Sequence, residues 1–117
     1  MGGPNDDEKV IMEEDCNEDK LGSGYLILTN QRLIFQKGKT RLLTLSKKMS
    51  EVVLDIALNK ISYVSTEGFL AKKLVVEVSD PSGVVHKFGV FGTGKWRKTI
   101  EEAIKSYSGS GGNGSSS

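Results

Sequence analysis

The sequence predicts a mainly-β domain of about seven antiparallel strands, capped by one C-terminal α-helix. Short runs of alternating apolar and polar residues recur along most of the chain, and residues typical of tight turns separate them. The hydrophobic period changes to that of a helix only after Gly94. At 117 residues with 37% hydrophobic content, the chain is long enough to build one modest core.

The segment at residues 24–35 predicts a β-hairpin. Two apolar runs flank the polar residues Thr29, Asn30 and Gln31. Tyrosine, isoleucine, leucine and phenylalanine suit a pleated, half-buried surface, and asparagine tolerates the backbone angles of a tight reversal. We therefore expect two paired strands that are joined at Asn30.

Further strands are predicted along the rest of the chain, with an acidic loop at residues 13–20 after the first of them. They cover residues 10–12, 40–45 as an extra strand, 52–58, 61–66, 74–78 and 84–88. The last two should pair across a turn, in which Pro81 presets the first position and Gly83 accepts a positive φ at low cost.

A helix is predicted over residues 93–107. Its apolar positions recur at helical spacing on one face, at Trp96, Ile100, Ala103, Ile104 and Tyr107. Thr93 is the predicted N-cap, and Gly109 is the predicted stop. Such a helix would supply an apolar plug for the open end of a small barrel.

The chain divides into one domain with two polar flanks. We expect residues 1–8 to be a disordered acidic N-terminus, residues 9–107 to form the domain, and residues 108–117 to be a flexible tail. The tail contains only glycine, serine and asparagine, so it offers no apolar side chain to bury. It is either a linker to a following segment or a remnant of cloning, and composition does not distinguish the two.

The residues GYLILTNQRLIF at positions 24–35 resemble the second and third strands of GRAM and bacterial pleckstrin-homology-like (PH-like) domains. LDIALNKI at positions 54–61 is similar to the next strand of GRAM-type domains, although Ala57 stands where proline is common. Trp96 resembles the tryptophan that PH-type helices pack against the barrel end. The resemblance spans residues 10–107 and implies a PH-like barrel of two orthogonal sheets. This chain departs from the family pattern in having a long basic insert after Lys37.

Charge is unevenly distributed along the chain. Residues 1–19 carry eight acidic residues and one basic residue, whereas residues 20–117 carry seven acidic and fifteen basic ones. Between Arg32 and Lys48 there are six basic residues and no acidic one. Such a run either attracts anions or is an ordinary solvated loop.

The resemblance implies a binding module, and two classes of partner remain open. One is an anionic membrane surface or a phospholipid head group, for which the candidate binding residues are Lys37, Lys39, Arg41, Lys47 and Lys48. The acidic loop would repel a phosphorylated head group, which argues against specific inositide recognition. The other is a protein partner, either a peptide or a ubiquitin-type domain, at a sheet edge or beside the helix. Nucleic acid is not expected, because aromatic residues are not interleaved with the basic run apart from Phe35.

No arrangement of catalytic residues is evident. GVFGTGK at positions 89–95 matches a phosphate loop as far as Lys95, but Trp96 follows where serine or threonine would hold magnesium. We interpret this run as a strand-to-helix turn. His86 has no second histidine with which to build a zinc site, and we expect it to pack at the sheet surface. Acidic neighbours would raise the pKa of the Cys16 thiol, so we expect this thiol to be unreactive. Because none of these residues forms a catalytic or metal-binding set, we expect no enzyme activity, cofactor or metal.

The single cysteine excludes an internal disulfide. The sequence also shows neither a signal-peptide apolar region nor an apolar run long enough to cross a bilayer. We therefore expect a cytoplasmic protein, which is peripheral to a membrane where its ligand is a lipid.

Overall fold

The computed structural model describes residues 8–37, 52–79 and 83–111. Within them, seven strands precede one helix, and a 3₁₀ turn (Leu58–Lys60) joins the fourth and fifth strands. The strands are β1 (Val10–Glu18), β2 (Gly22–Thr29), β3 (Arg32–Lys37), β4 (Val52–Ala57), β5 (Ile61–Glu67), β6 (Lys73–Val78) and β7 (Val85–Val90), and the helix is α1 (Thr93–Gly111). The prediction of about seven antiparallel strands and one C-terminal helix is confirmed.

The strands pair in the order β4-β3-β2-β1-β7-β6-β5, and every ladder is antiparallel. Strand β1 is central because it pairs with β2 on one side and β7 on the other, so the strands of the two expected sheets join in one seven-stranded sheet. The end strands β4 and β5 follow each other in the chain. The helix packs against β5, β6 and the 3₁₀ turn, beside the opening between these end strands.

The main core lies inside the curled sheet, with the helix against it. Phe35 of β3 and Phe88 of β7 belong to strands that are not neighbours, yet their ring centroids are 5.9 Å apart. This contact requires the sheet to curl over on itself. Trp96 and Ile100 of α1 are completely buried in the same core. The predicted apolar plug is therefore confirmed.

The hairpin of β2 and β3 is buried on both of its faces. Tyr25, Ile27 and Ile34 form a smaller cluster that is separate from the main core and packs with Val52. A strand that is buried on both faces needs apolar residues at successive positions rather than in alternation. This explains the near-continuous apolar runs in the hairpin sequence.

The predicted acidic loop at residues 13–20 is wrong, because most of it belongs to β1, which extends to Glu18. Asp15 and Asn17 are exposed, whereas Cys16 and Glu18 are buried. This alternation is that of a strand whose outer face meets solvent, where acidic side chains are tolerated. The turn between β1 and β2 is only residues 19–21.

Both predicted hairpins are confirmed. In the second one, Leu74 lies opposite Phe88, and Gly83 has a φ of +61°. The helix begins at Thr93 as expected, but it continues to Gly111, so the prediction of Gly109 as its stop is wrong. The predicted strand at residues 40–45 and Pro81 lie outside the described residues.

Glu8, the last residue of the predicted N-terminal flank, contacts the first hairpin. Its side chain is 1% exposed, and its carboxylate accepts hydrogen bonds from Arg32 Nε at 2.7 Å and from Thr29 Oγ1 at 2.7 Å. Thr29 Oγ1 in turn accepts the backbone N–H groups of Gln31 and Arg32. The contacts of the domain therefore reach at least to Glu8.

Candidate functional site

Lys37 is the predicted binding residue that the structure locates. It ends β3 and is half-buried, and its Nζ donates a hydrogen bond to the carbonyl of Leu21 in the β1–β2 turn. Gln36 lies opposite Val52 in the β3–β4 ladder, so the basic segment leaves and re-enters the sheet on adjacent strands. The other candidates, Lys39, Arg41, Lys47 and Lys48, lie outside the described residues.

The β1–β2 turn beside Lys37 is organised by Glu18, whose side chain is 2% exposed. Glu18 Oε1 accepts the backbone N–H groups of Lys20 and Leu21, each at 2.7 Å. Asp19 forms an ion pair with Lys73 at the start of β6. The sequence suggested that the carboxylates of this region would repel an anionic ligand. In the fold, however, the carboxylates of Glu18 and Asp19 both have partners within the protein.

His86 completes this arrangement from β7. Its Nδ1 lies 3.3 Å from Glu18 Oε2, and it is opposite the core residue Val76 in the β6–β7 ladder. Directly opposed residues share one face of a sheet, so His86 points toward the interior rather than packing at the outer surface. Glu18 and His86 are 68 positions apart, and only strand register brings them together. Sequence reasoning treated them separately.

A groove of about 420 Å³ lies between β4 and the turn that joins β6 to β7. Most of its side chains are apolar, while a few charged or polar groups lie among them, which is the composition of a ligand-binding cleft. It is lined by Val53, Leu54, Asp55, Ile56, Ala57, Lys60, Val78, Val84 and His86. Nothing in the sequence pattern indicated it, because its two sides come from strands that are not paired.

A second, smaller groove of about 170 Å³ lies between α1 and the edge strand β5. It is lined by Ile61, Ser62, Tyr63, Val64, Glu101 and Ile104. Tyr63 is 61% exposed here. This is the groove beside the helix that the protein-partner alternative expects.

Cys16 is buried within the core and is chemically quiet. Burial, with smaller contributions from the nearby carboxylates of Glu18 and Asp15, raises the pKa of its thiol to about 12. The predicted direction of the pKa shift is confirmed, although burial is the larger cause. A thiol that stays protonated at neutral pH is a poor nucleophile.

The run GVFGTGK forms the end of β7, a short turn and the start of α1. Strand β7 is antiparallel to both of its neighbours, whereas nucleotide-binding phosphate loops follow a strand of a parallel sheet. The interpretation as a strand-to-helix turn is confirmed. In the described part of the chain, no helix is long and apolar enough to cross a membrane.

No protein-family model and no curated protein matches the sequence. Solved structures do match it. The N-terminal PH domain of Vps36 has a TM-score of 0.63 at 20% identity, over 86% of this chain and 82% of that one. The PH domain from TgAPH has a TM-score of 0.51 at 20% identity, over 80% and 79% of the two chains.

A third similar structure is that of the PDZ-RhoGEF DH/PH domains in a complex with activated RhoA. It has a TM-score of 0.62 at 14% identity, and the match covers 86% of this chain but 31% of that one. Identities this low establish shape and not activity. The order of seven antiparallel strands followed by one capping helix, together with these matches, shows that the chain has the PH-domain fold.

Proposed function

We propose that this domain is a non-enzymatic binding module that attaches to an anionic membrane surface, or to phospholipid head groups, through the basic segment at residues 37–48. The proposal rests chiefly on one observation. The segment begins at Lys37, at the end of β3 beside the β1–β2 turn, and the chain returns to the sheet at Val52 on the adjacent strand β4.

Electrostatics supports a surface of this kind. Each basic residue near an anionic leaflet contributes about 1 kcal/mol of attraction, so five of them suffice for reversible attachment. The acidic residues of the neighbouring turn do not oppose this, because Glu18 is buried and Asp19 is paired with Lys73. The solved structures with the same fold are consistent with a binding role, and the resemblance of the first hairpin favours the GRAM-like type.

A vesicle co-sedimentation assay tests the proposal. The wild-type protein should sediment with phosphatidylcholine vesicles only when phosphatidylserine is included. A variant with Lys37, Lys39, Arg41, Lys47 and Lys48 changed to glutamate should remain in the supernatant. Equal binding of the two proteins, or binding of neither at low salt, would contradict the proposal.

A matched pair of double variants controls for net charge. Lys47→Glu/Lys48→Glu alters the basic segment, whereas Lys98→Glu/Lys105→Glu makes the same change on the exposed face of α1. If the segment is the binding surface, the first variant should lose far more vesicle binding than the second. Similar losses would indicate a response to total charge and not to a defined surface.

A peptide or protein partner is the second candidate, and the groove between α1 and β5 favours it. Strand β5 is the end strand of the sheet in the described part of the chain, and an edge with an exposed tyrosine beside a groove suits an added strand or a docked helix. In that case Tyr63→Ala should abolish binding of the partner while vesicle binding is unchanged. Cross-linking of each variant in the presence of vesicles or of a candidate peptide would separate the two functions.

A further inference from the structure

The turn between β5 and β6 carries the most exposed apolar pair of the described residues. Phe69 is 88% exposed and Leu70 is 92% exposed, whereas the exposed valines and isoleucine of the strands are 39–45% exposed. Scattered exposed apolar residues are normal on a protein surface, but adjacent large side chains that are almost fully exposed mark an interaction site.

The backbone of this turn holds the pair outward. Gly68 has a φ of +103°, and a Cβ added to it would lie 2.6 Å from the carbonyl oxygen of Ala71. The chain therefore reverses tightly at the base of the pair. Strands β6 and β7 are antiparallel, with Leu74 opposite Phe88. The β7–α1 turn, with its 87% exposed Phe91, therefore leaves the sheet at the same end of the strands as the β5–β6 turn.

The charges around the pair are mainly basic. Lys72 is exposed directly after it, and Lys95 is exposed in the first turn of α1. The nearest carboxylate along the chain, Glu67, lies 3.0 Å from Lys87 Nζ and is thereby neutralised. The apolar pair thus lies in a surface that favours an anionic partner.

The β1–β2 turn links this tip to the basic segment. Lys73, which follows the tip, pairs with Asp19, and Lys37, the first residue of the basic segment, donates a hydrogen bond to the carbonyl of Leu21. The tip and the first residue of the basic segment therefore have the β1–β2 turn as a common neighbour.

We propose that the β5–β6 turn is a membrane-inserting tip, in which Phe69 and Leu70 enter the interfacial layer of an anionic bilayer while Lys72 contacts lipid head groups. This proposal rests on the proposed membrane function and adds an apolar anchor to it. Apolar side chains that reach the head-group and acyl boundary, flanked by lysine, gain both from burial and from the surface potential.

Depth-dependent fluorescence quenching tests insertion directly. Phe69→Trp places a reporter at the tip, and the native Trp96 is completely buried and gives a constant background. With phosphatidylcholine/phosphatidylserine vesicles that carry brominated acyl chains, the new tryptophan should be quenched and its emission should shift to the blue. Ile11→Trp, at an exposed position in β1, is the matched control and should show neither change.

Affinity provides the second measurement. Phe69→Ser/Leu70→Ser should weaken binding to phosphatidylserine-containing vesicles by roughly tenfold or more, because partial burial of two large apolar side chains is lost. The control Val10→Ser/Ile11→Ser removes an adjacent pair of exposed apolar residues elsewhere, at the start of β1, and should bind like the wild type. An unchanged thermal midpoint in each variant shows that the fold is intact.

The outcomes separate this proposal from the proposed function. If the wild type does not bind anionic vesicles, the membrane function is wrong, and the inserting tip is wrong with it. If the wild type binds but the tip variant binds equally well, or if the tryptophan at position 69 is not quenched, the membrane function stands and the tip proposal is overturned. An equal loss of affinity in the control double variant would also overturn it.

Discussion

Two buried glutamates show how acidic residues stabilise the fold of a domain whose body is basic. Glu8 accepts two hydrogen bonds from Arg32, at 2.7 Å and 3.1 Å, and this interaction raises the pKa of the guanidinium. Glu18 accepts two backbone N–H groups of the β1–β2 turn. In both cases the carboxylate fixes a turn beside a strand end.

Glu18→Ala should lower the free energy of unfolding by about 1–3 kcal/mol, because two amide donors would lose their acceptor in a partly buried turn. Urea denaturation followed by fluorescence of Trp96 measures this. Glu18→Gln, which keeps an acceptor oxygen, should lose less. Equal and negligible effects would mean that water replaces the carboxylate.

Cys16 should resist alkylation in the folded protein. Its pKa is raised from 9.0 to about 12, so almost no thiolate exists at pH 8. Iodoacetamide should label it rapidly only in concentrated urea. As the pH rises, the thiol ionises in the unfolded protein before it ionises in the folded protein. Its contribution to folding stability is therefore intact below pH 9 and is lost as the pH rises toward 12. Rapid labelling of the native protein would contradict this.

At the scale of elements, the sequence predicted the hairpins and the helix, because residues close together in the chain determine their formation. Turn residues and apolar runs indicated both hairpins, and helical spacing indicated α1. The extent of β1 was missed, because acidic residues favour loops unless long-range pairing overrides them, as the ladders with β2 and β7 do here. Gly109 does not end α1, because glycine is common just after the last turn of a helix but does not by itself force a helix to stop.

Gly24 in β2 should tolerate no side chain. A Cβ there would lie 2.4 Å from the carbonyl oxygen of Gln36 and 2.5 Å from Phe35 Cζ. Gly24→Ala should therefore destabilise the domain by about 1–3 kcal/mol, as overpacking does. Gly94→Ala is the matched control in α1: nothing lies within 4 Å of its Cβ position, and it should be neutral or stabilising. Thermal midpoints of the two variants check the opposite signs.

Trp96 should account for much of the docking of α1. Because it is completely buried, Trp96→Ala should lower the free energy of unfolding by about 3–5 kcal/mol. Trp96→Phe should be much milder, since Trp96 Nε1 is buried without a hydrogen-bond partner among the described residues and the smaller ring removes that group. Denaturant titrations give both values. An unchanged midpoint in the alanine variant would mean that the helix docks by other contacts.

At the scale of the whole molecule, the candidate site was only partly predictable. Charge runs are visible in sequence, so the basic segment could be proposed, and its first residue, Lys37, lies at the end of β3. The groove of Val84 and Ile56 and the pairing of Glu18 with His86 depend on which strands meet across the barrel, and local patterns carry no information on that. The GRAM-like type, the domain bounds and all five basic candidate residues, including Lys37, stay predictions.

Salt should separate membrane binding from folding. The Debye length falls from about 10 Å at 0.1 M to about 3 Å at 1 M, so attraction between the basic segment and an anionic bilayer should be largely screened. Stability should change little, because exposed ion pairs such as Lys87–Glu67 and Arg97–Glu101 each contribute at most about 1 kcal/mol. Co-sedimentation and thermal midpoints measured across one salt series give both results.

Vesicle binding that persists at 1 M salt in the wild type but not in the Phe69→Ser/Leu70→Ser variant would assign the dominant contribution to the tip. Release of both proteins at the same salt concentration would assign it to charge.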